Sequence, residues 1–158
     1  MRRKFAVDLY ELMKRDKNII LITADMGFGM LDKIRDELPD QFYNPGAAEQ
    51  VAVTMAVGLA LSGKIPVVYT ITPFLLYRPY EVIKLYLEGE GISVKLVGSG
   101  MNDDYKTEGL SHHAFNVDNL LNLTPSIVQI YPKKIDNISY IIKEMIYNNK
   151  PCFLGLNR

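Results

Sequence analysis

Near the start of the chain Phe5, Leu9, Leu12 and Met13 recur at helical spacing, with Lys4, Asp8, Glu11 and Lys14 between them. An amphipathic opening helix is predicted, ending near residues 16–18. Next comes IILITAD (19–25), a short β-rich run closing on a carboxylate, as a buried parallel strand does at its C-terminal edge. IPVVYTI (65–71), ISVKLVG (92–98), SIVQIY (126–131) and CFLGL (152–156) are of the same kind, so at least five strands are expected. Helical patterns lie between them at 30–37, 47–62, 74–88, near 117–123 and at 135–148, where Ile138, Ile141, Ile142, Met145 and Ile146 form a stripe. Strands too apolar to face water, alternating with helices, predict an α/β three-layer sandwich in which a mostly parallel sheet is flanked by helices. Ligands of such sheets gather at the strands' C-terminal ends, here Asp25, Thr70 to Thr72, Gly98 to Gly100 and Tyr131.

The 158 residues are enough for one domain with its own core, and no repeat or linker divides them, so residues 1–158 are read as a single domain. Apolar residues make up 48% and charged residues 23%, with 18 basic and 18 acidic side chains, which argues against disorder and against nucleic acid as a partner. No stretch of roughly 18 uncharged apolar residues is present, and the N-terminus carries a charge every few positions, so neither a membrane span nor a signal peptide is expected and a cytoplasmic location is. Cys152 has no second cysteine to pair with and sits in an apolar run, as a small buried side chain would.

Four stretches hold chemistry. In NPGAAEQ (44–50) the carboxylate of Glu49 precedes a helix that is apolar on all faces, Val51 to Leu61, and therefore predicted to be central. A first-turn carboxylate can simply serve the helix dipole. In apolar surroundings, however, such a carboxylate is suited to sharing a proton with a ligand nitrogen. In PFLLYRPYEVI (73–83), Phe74, Tyr77 and Tyr80 repeat every three residues, either as core or as a platform for a flat ligand.

The polar stretch 99–115 is longer than a connection in a compact α/β domain needs, and it holds both histidines, His112 and His113, beside Glu108. Adjacent histidines diverge more readily than they converge, and no third ligand stands at helical spacing, so no metal site is assigned and proton transfer or hydrogen bonding to a substrate oxygen fits better. The glycines of Asp25-Met26-Gly27-Phe28-Gly29 match neither phosphate-loop spacing and read as a strand-end turn.

Together, R-K-F, ILITADMG, NPGAAEQVAVTMAVGLALSGKIPVVYT, PFLLYRPYEVI, VKLVGSG, EGLSHHAFNVDNLLNLTPSIVQIYPKK and PCFLGLNR resemble, in order from about residue 3 to residue 158, the pyrimidine-binding domain of the transketolase family. Deoxyxylulose-phosphate synthases look similar. The resemblance implies thiamine diphosphate as cofactor, with chemistry that belongs to the cofactor while the protein supplies proton placement and orientation. It places Glu49 at the glutamate that hydrogen-bonds N1′ of the aminopyrimidine and favours its imino tautomer. It puts Tyr77 at the ring that stacks on the pyrimidine, with Phe74 and Tyr80 around it, and Asp25 near the cofactor and the subunit junction. His112, in Gly109-Leu110-Ser111-His112, matches a histidine that contacts the donor sugar, and Arg3, with Arg2 beside it, an arginine that grips the sugar phosphate.

The sequence also departs from the family. Glu108 stands where transketolases carry an aspartate, Leu110 replaces a proline, and Gly100 falls where many have a second substrate histidine. No GDG segment followed by Asn, which holds metal and diphosphate in this family, is found, nor any residue after Arg158, where single-chain transketolases continue.

The expectation is therefore one subunit of a split enzyme, transferring a two-carbon ketol unit between sugar or sugar-phosphate substrates. It needs a diphosphate-binding partner subunit that ligates Mg²⁺, and pairs with a second copy of itself within a heterotetramer. The alternatives are a subunit of a split thiamine-dependent 2-oxoacid decarboxylase or dehydrogenase, which lacks the G-x-S/T-H segment, and a non-catalytic regulatory module.

Overall fold

A computed structural model of the chain describes residues 1–134 and 137–158. Six parallel strands form one sheet: β1 (Ile19–Thr23), β2 (Phe42–Tyr43), β3 (Ile65–Ile71), β4 (Lys95–Ser99), β5 (Val128–Ile130) and β6 (Cys152–Leu156), in the order β2-β1-β3-β4-β6-β5. The five predicted strands are all present, with 65–71 and 152–156 at the predicted bounds. The sixth, β2, is two residues long and pairs with β1 through Leu21 and Ile22. So short a segment carries no periodicity of its own.

Because successive strand residues point to opposite faces, the apolar runs feed two cores at once. On one face Ile19, Leu21, Val67, Tyr69 and Leu154 pack under α1 (Arg2–Arg15) and α7 (Ile138–Tyr147), through Phe5, Leu9, Met13, Ile142 and Met145. On the other, Ile20, Ile22, Val68, Leu96 and Phe153 pack under α3 (Glu49–Leu61) and α4 (Thr72–Tyr77). Each such fully buried aliphatic side chain contributes about 1.5–3 kcal/mol. The predicted helix 135–148 begins at residues 135 and 136, which lie outside the described residues. Short helices α2 (Asp32–Glu37) and α6 (Val117–Leu121) complete the layers.

Two helix expectations change. The helix at 49–61 is not enclosed on all sides: Ala52, Val53, Ala56 and Val57 face the sheet, whereas Val51 is 52% and Leu61 72% exposed. The sheet covers only one side of a helix, so composition alone overstates its burial.

The single helix expected at 74–88 is three pieces: α4, the one-turn α5 (Tyr80–Val82) and a π-helical segment, Ile83–Gly89. Pro79 breaks it, having no N–H to donate and a ring that clashes with the carbonyl four residues earlier. Ile83 restarts the pattern by donating to the Pro79 carbonyl at 3.0 Å.

Lys95 is fully buried at the opposite end of the sheet from the predicted site. Its Nζ lies 2.8 Å from Ser93 Oγ, 2.7 Å from the Asn148 carbonyl, 2.9 Å from Asn148 Oδ1 and 2.7 Å from the Lys150 carbonyl. Burial lowers its pKa to about 8. None of the helices is long and apolar enough to cross a membrane among the described residues.

Candidate active site

The approach to Glu49 is set by Asn44. Its Oδ1 accepts the Asp25 and Gly46 N–H groups, each at 3.0 Å, which ties the loop before α3 to the end of β1. Gly46 has φ +83°, a conformation open to glycine at little cost, and lets the chain turn so that Ala48 donates back to the Gly46 carbonyl at 2.7 Å. Glu49 is then the first helical residue, only 3% exposed. Asp25 is exposed and its backbone lies at φ +48°, a left-handed conformation that Asp and Asn tolerate better than most.

The break at Pro79 aims Arg78 back at this carboxylate. Arg78 Nη1 stands 2.6 Å from Glu49 Oε2, and the guanidinium carbon lies 3.8 Å from the centre of the Phe74 ring. The Glu49 side chain is 2% exposed and that of Arg78 47%. A charge held out of water this completely needs a partner, and Arg78 is that partner here. Sequence reasoning did not find it, because the two residues are 29 positions apart and nothing in the spacing joins them.

Phe74 in turn meets His112 edge to face, with ring centres 4.8 Å apart. Glu49, Arg78, Phe74 and His112 are thus in continuous contact. Tyr80 is half-buried, and Tyr77 turns outward, 45% exposed, with its hydroxyl pKa pushed up by partial burial. His112 Nδ1 is 3.1 Å from Ser111 Oγ, whereas His113 Nε2 faces the Lys106 carbonyl at 3.3 Å and its ring abuts Phe115. The two imidazoles diverge, as adjacent positions favour. Glu108 is exposed on a 3₁₀ turn, and among the described residues no three His, Cys, Asp or Glu side chains gather as a metal site.

A cavity of about 620 Å³ opens at the C-terminal ends of β1 and β3. Arg2, Arg3 and Arg158 line it together with the turn Met26 to Met30 and with Tyr69. Tyr69 is fully buried, and among the described residues its hydroxyl makes no hydrogen bond of ordinary geometry, although Ser99 and Arg2 stand close enough to act on it. Burial raises its pKa. Tyr105 joins the cavity to His112. Its hydroxyl accepts from Arg2 Nη1 at 2.9 Å and pairs with Ser99 Oγ at 2.9 Å. The guanidinium of Arg158 lies 5.4 Å from its ring centre, and the His112 ring centre is 6.3 Å away.

Three arginines lining one cavity suit an anion such as phosphate. Of these residues the sequence pointed to Arg3 and Arg2 alone. Arg158, Tyr69 and Tyr105 had no local signal, since they come from chain segments far apart.

The chain is a three-layer parallel α/β domain, a class that takes its ligands at the C-terminal edge of the sheet, where Glu49 opens α3. The sequence profile of the family described as "Transketolase, pyrimidine binding domain" matches residues 1–158, and the chain belongs to that family.

Among curated relatives, a protein of Methanocaldococcus jannaschii described as a transketolase C-terminal section is 27% identical over 159 residues, covering 100% of this chain and 50% of that protein. One of the subunits of the apulose-4-phosphate transketolase of Phocaeicola vulgatus is 30% identical over 158 residues, 99% of this chain and 51% of that one. A 1-deoxy-D-xylulose-5-phosphate synthase of Halothermothrix orenii is 31% identical over 157 residues, 98% of this chain and 24% of the enzyme. The solved structure described as a split gene transketolase, inactive beta4 tetramer, superposes with a TM-score of 0.85 at 25% identity, over 99% of this chain and 50% of that one. The chain therefore spans about half the length of the first two relatives.

Proposed function

We propose that this chain is the pyrimidine-binding subunit of a split, thiamine diphosphate-dependent transketolase, and that it moves a two-carbon ketol unit between sugar phosphates once paired with a diphosphate-binding subunit that ligates Mg²⁺. The observation that carries the proposal is Glu49, a carboxylate 3% exposed at the start of α3 with an aromatic ring, Phe74, beside its partner cation. These residues fit an aminopyrimidine: the guanidinium now between them is itself flat, cationic and rich in N–H donors.

Glu49 and Phe74 would hold the pyrimidine end of thiamine diphosphate, which when bound would supply the electron sink for the chemistry. The chain's own residues do the rest. Glu49 holds or releases a proton at the pyrimidine nitrogen, in surroundings dry enough to make that transfer efficient. Phe74, in place of the outward-turned Tyr77 that the resemblance suggested, orients the ring, with Tyr77 and Tyr80 from the same segment around it. His112, packed on Phe74, donates to or accepts from a sugar oxygen. Arg2, Arg3 and Arg158 hold the phosphate at the far end, and Tyr105 spans the distance between. Asp25 and Glu108, both exposed, complete the rim toward partner and substrate.

The exposed apolar side of α3, with Val51 and Leu61, supports pairing with a second copy within a heterotetramer. A second reading, in which the donor is a 2-oxoacid such as pyruvate rather than a ketose phosphate, goes with the match to a 1-deoxy-D-xylulose-5-phosphate synthase.

The test is reconstitution with a candidate diphosphate-binding subunit, thiamine diphosphate and Mg²⁺, offering ketose phosphates or pyruvate as donor. Turnover of ketose phosphates, lost in Glu49→Gln with the circular dichroism spectrum unchanged, is the expected result. Turnover of pyruvate alone selects the second reading. Full activity of Glu49→Gln removes the role given to the carboxylate.

A further inference from the structure

The pairing of Glu49 with Arg78 is lopsided. The carboxylate is sealed at 2% exposure, whereas nearly half of the Arg78 side chain, 47%, is already in water. Swinging the Arg78 side chain outward uncovers less than moving Glu49 would, since nearly half of it already meets water. Leaving Glu49 ionised without a partner is strongly unfavourable. Arg78 is thus the mobile half of the pair, and Glu49 the half that must always have company.

What Arg78 presents to its neighbours is specific. Its charge is delocalised over a planar N–C–N group, its carbon lies 3.8 Å from the centre of the Phe74 ring, and one N–H points at Glu49 Oε2 from 2.6 Å. An aminopyrimidine protonated at its ring nitrogen offers the same three features: a plane to stack, delocalised positive charge on an amidine, and an N–H for the carboxylate. Two such groups cannot share one face of one ring and one oxygen.

We propose that Arg78 is a stand-in for the cofactor's aminopyrimidine, filling its seat between Phe74 and Glu49 while the chain is unloaded, and that loading displaces it into solvent. The inference rests on the assignment of Glu49 and Phe74 to the pyrimidine seat. It goes further in naming what keeps that seat filled beforehand. The position of Arg78 at the break between α4 and Pro79 suits the exchange, because a residue at a helix end can swing out without dismantling a turn. The device keeps a buried charge satisfied in a subunit that exists before its cofactor arrives. It also taxes binding, because the competent state is only the fraction with the seat vacated.

The test uses the full 158-residue chain and one probe, 4-amino-5-hydroxymethyl-2-methylpyrimidine, which carries the ring without the diphosphate. Binding is measured by calorimetry, and unfolding is followed with and without the probe. Arg78→Met removes the stand-in. Arg78→Gln keeps a neutral donor that eases folding should the methionine variant be too unstable.

The variants are expected to bind the probe roughly tenfold tighter than the natural chain, equivalent to a competent fraction of about one in ten. Without probe they should unfold at lower temperature, and with it recover more of the loss than the natural chain gains. Equal or weaker binding by both variants, with the natural chain still binding, overturns the stand-in and makes Arg78 a permanent wall of a pyrimidine site. Binding by none of the three chains removes the pyrimidine seat itself, and the stand-in with it.

Discussion

A methyl group placed on Gly100 would lie 2.2 Å from Cε2 of Tyr105 and 2.4 Å from its Cδ2. The backbone at Gly100 has φ +81°, which already disfavours a side chain. The phenol ring therefore fills the volume that a larger residue at position 100 would claim. From there it reaches Arg2 and Ser99 with its hydroxyl and flanks His112 with its ring. This explains why the long connection after β4 can dispense with a side chain at its first turn: Tyr105, five residues on, occupies the place.

Gly100→Ala should accordingly destabilise the chain by about 2–4 kcal/mol, the sum of left-handed backbone strain and overpacking. Chemical denaturation measures it. Tyr105→Ala is itself destabilising, since it removes a buried ring and its hydrogen bonds to Arg2 and Ser99, but in that background Gly100→Ala should cost less than in the natural chain, because only the backbone strain then remains. Strict additivity of the two changes would show that the contact carries no energy.

Tyr69 makes the opposite prediction. Its buried hydroxyl makes no hydrogen bond of ordinary geometry among the described residues, and such a group costs about 1–3 kcal/mol. Tyr69→Phe should leave the unfolding temperature unchanged or raise it by a few degrees. In the same variant, stabilisation by added inorganic phosphate should shrink several-fold, since the hydroxyl lines the arginine cavity. A clear loss of stability without phosphate would mean that the hydroxyl is satisfied in solution.

Lys95 sets a pH dependence whose sign follows from its depressed pKa of about 8 against 10.5 for the ordinary group. Below pH 8 both folded and unfolded chains carry the proton, and the cost of burying the ammonium is fully present. Between pH 8 and 10.5 the folded chain gives it up first, the unfolded chain binds more protons, and stability rises, by on the order of 1–3 kcal/mol. Tyr69 and Tyr131, whose pKa values burial pushes up, act in the reverse direction only above pH 10. Urea midpoints from pH 7.5 to 10 should climb for the natural chain and stay level for Lys95→Met. A level profile in both would show that the oxygens around Nζ hold its proton as well as water does.

The order of elements and the parallel sheet were legible along the chain, because a strand buried on both faces must be apolar throughout and a helix on such a sheet must carry a stripe. So was the place of Glu49, a carboxylate at the mouth of an apolar helix. The same local logic failed where geometry beyond the immediate neighbourhood decides. It read 74–88 as one helix although Pro79 breaks it, enclosed α3 although the sheet covers only one side, and passed over β2, whose two residues exist as a strand only by pairing with β1.

What the amino-acid sequence determined by itself was thus the set of elements, their class of packing and the residue types available for chemistry, since periodicity and propensity act between near neighbours. Only the tertiary structure decided which of them meet. Arg78 came to Glu49 because a helix break turned it, and Arg2 and Arg158 came to one cavity because α1 and β6, from opposite ends of the chain, close on the same edge of the sheet. Such meetings depend on distances in space between residues remote in sequence, and no local pattern encodes them.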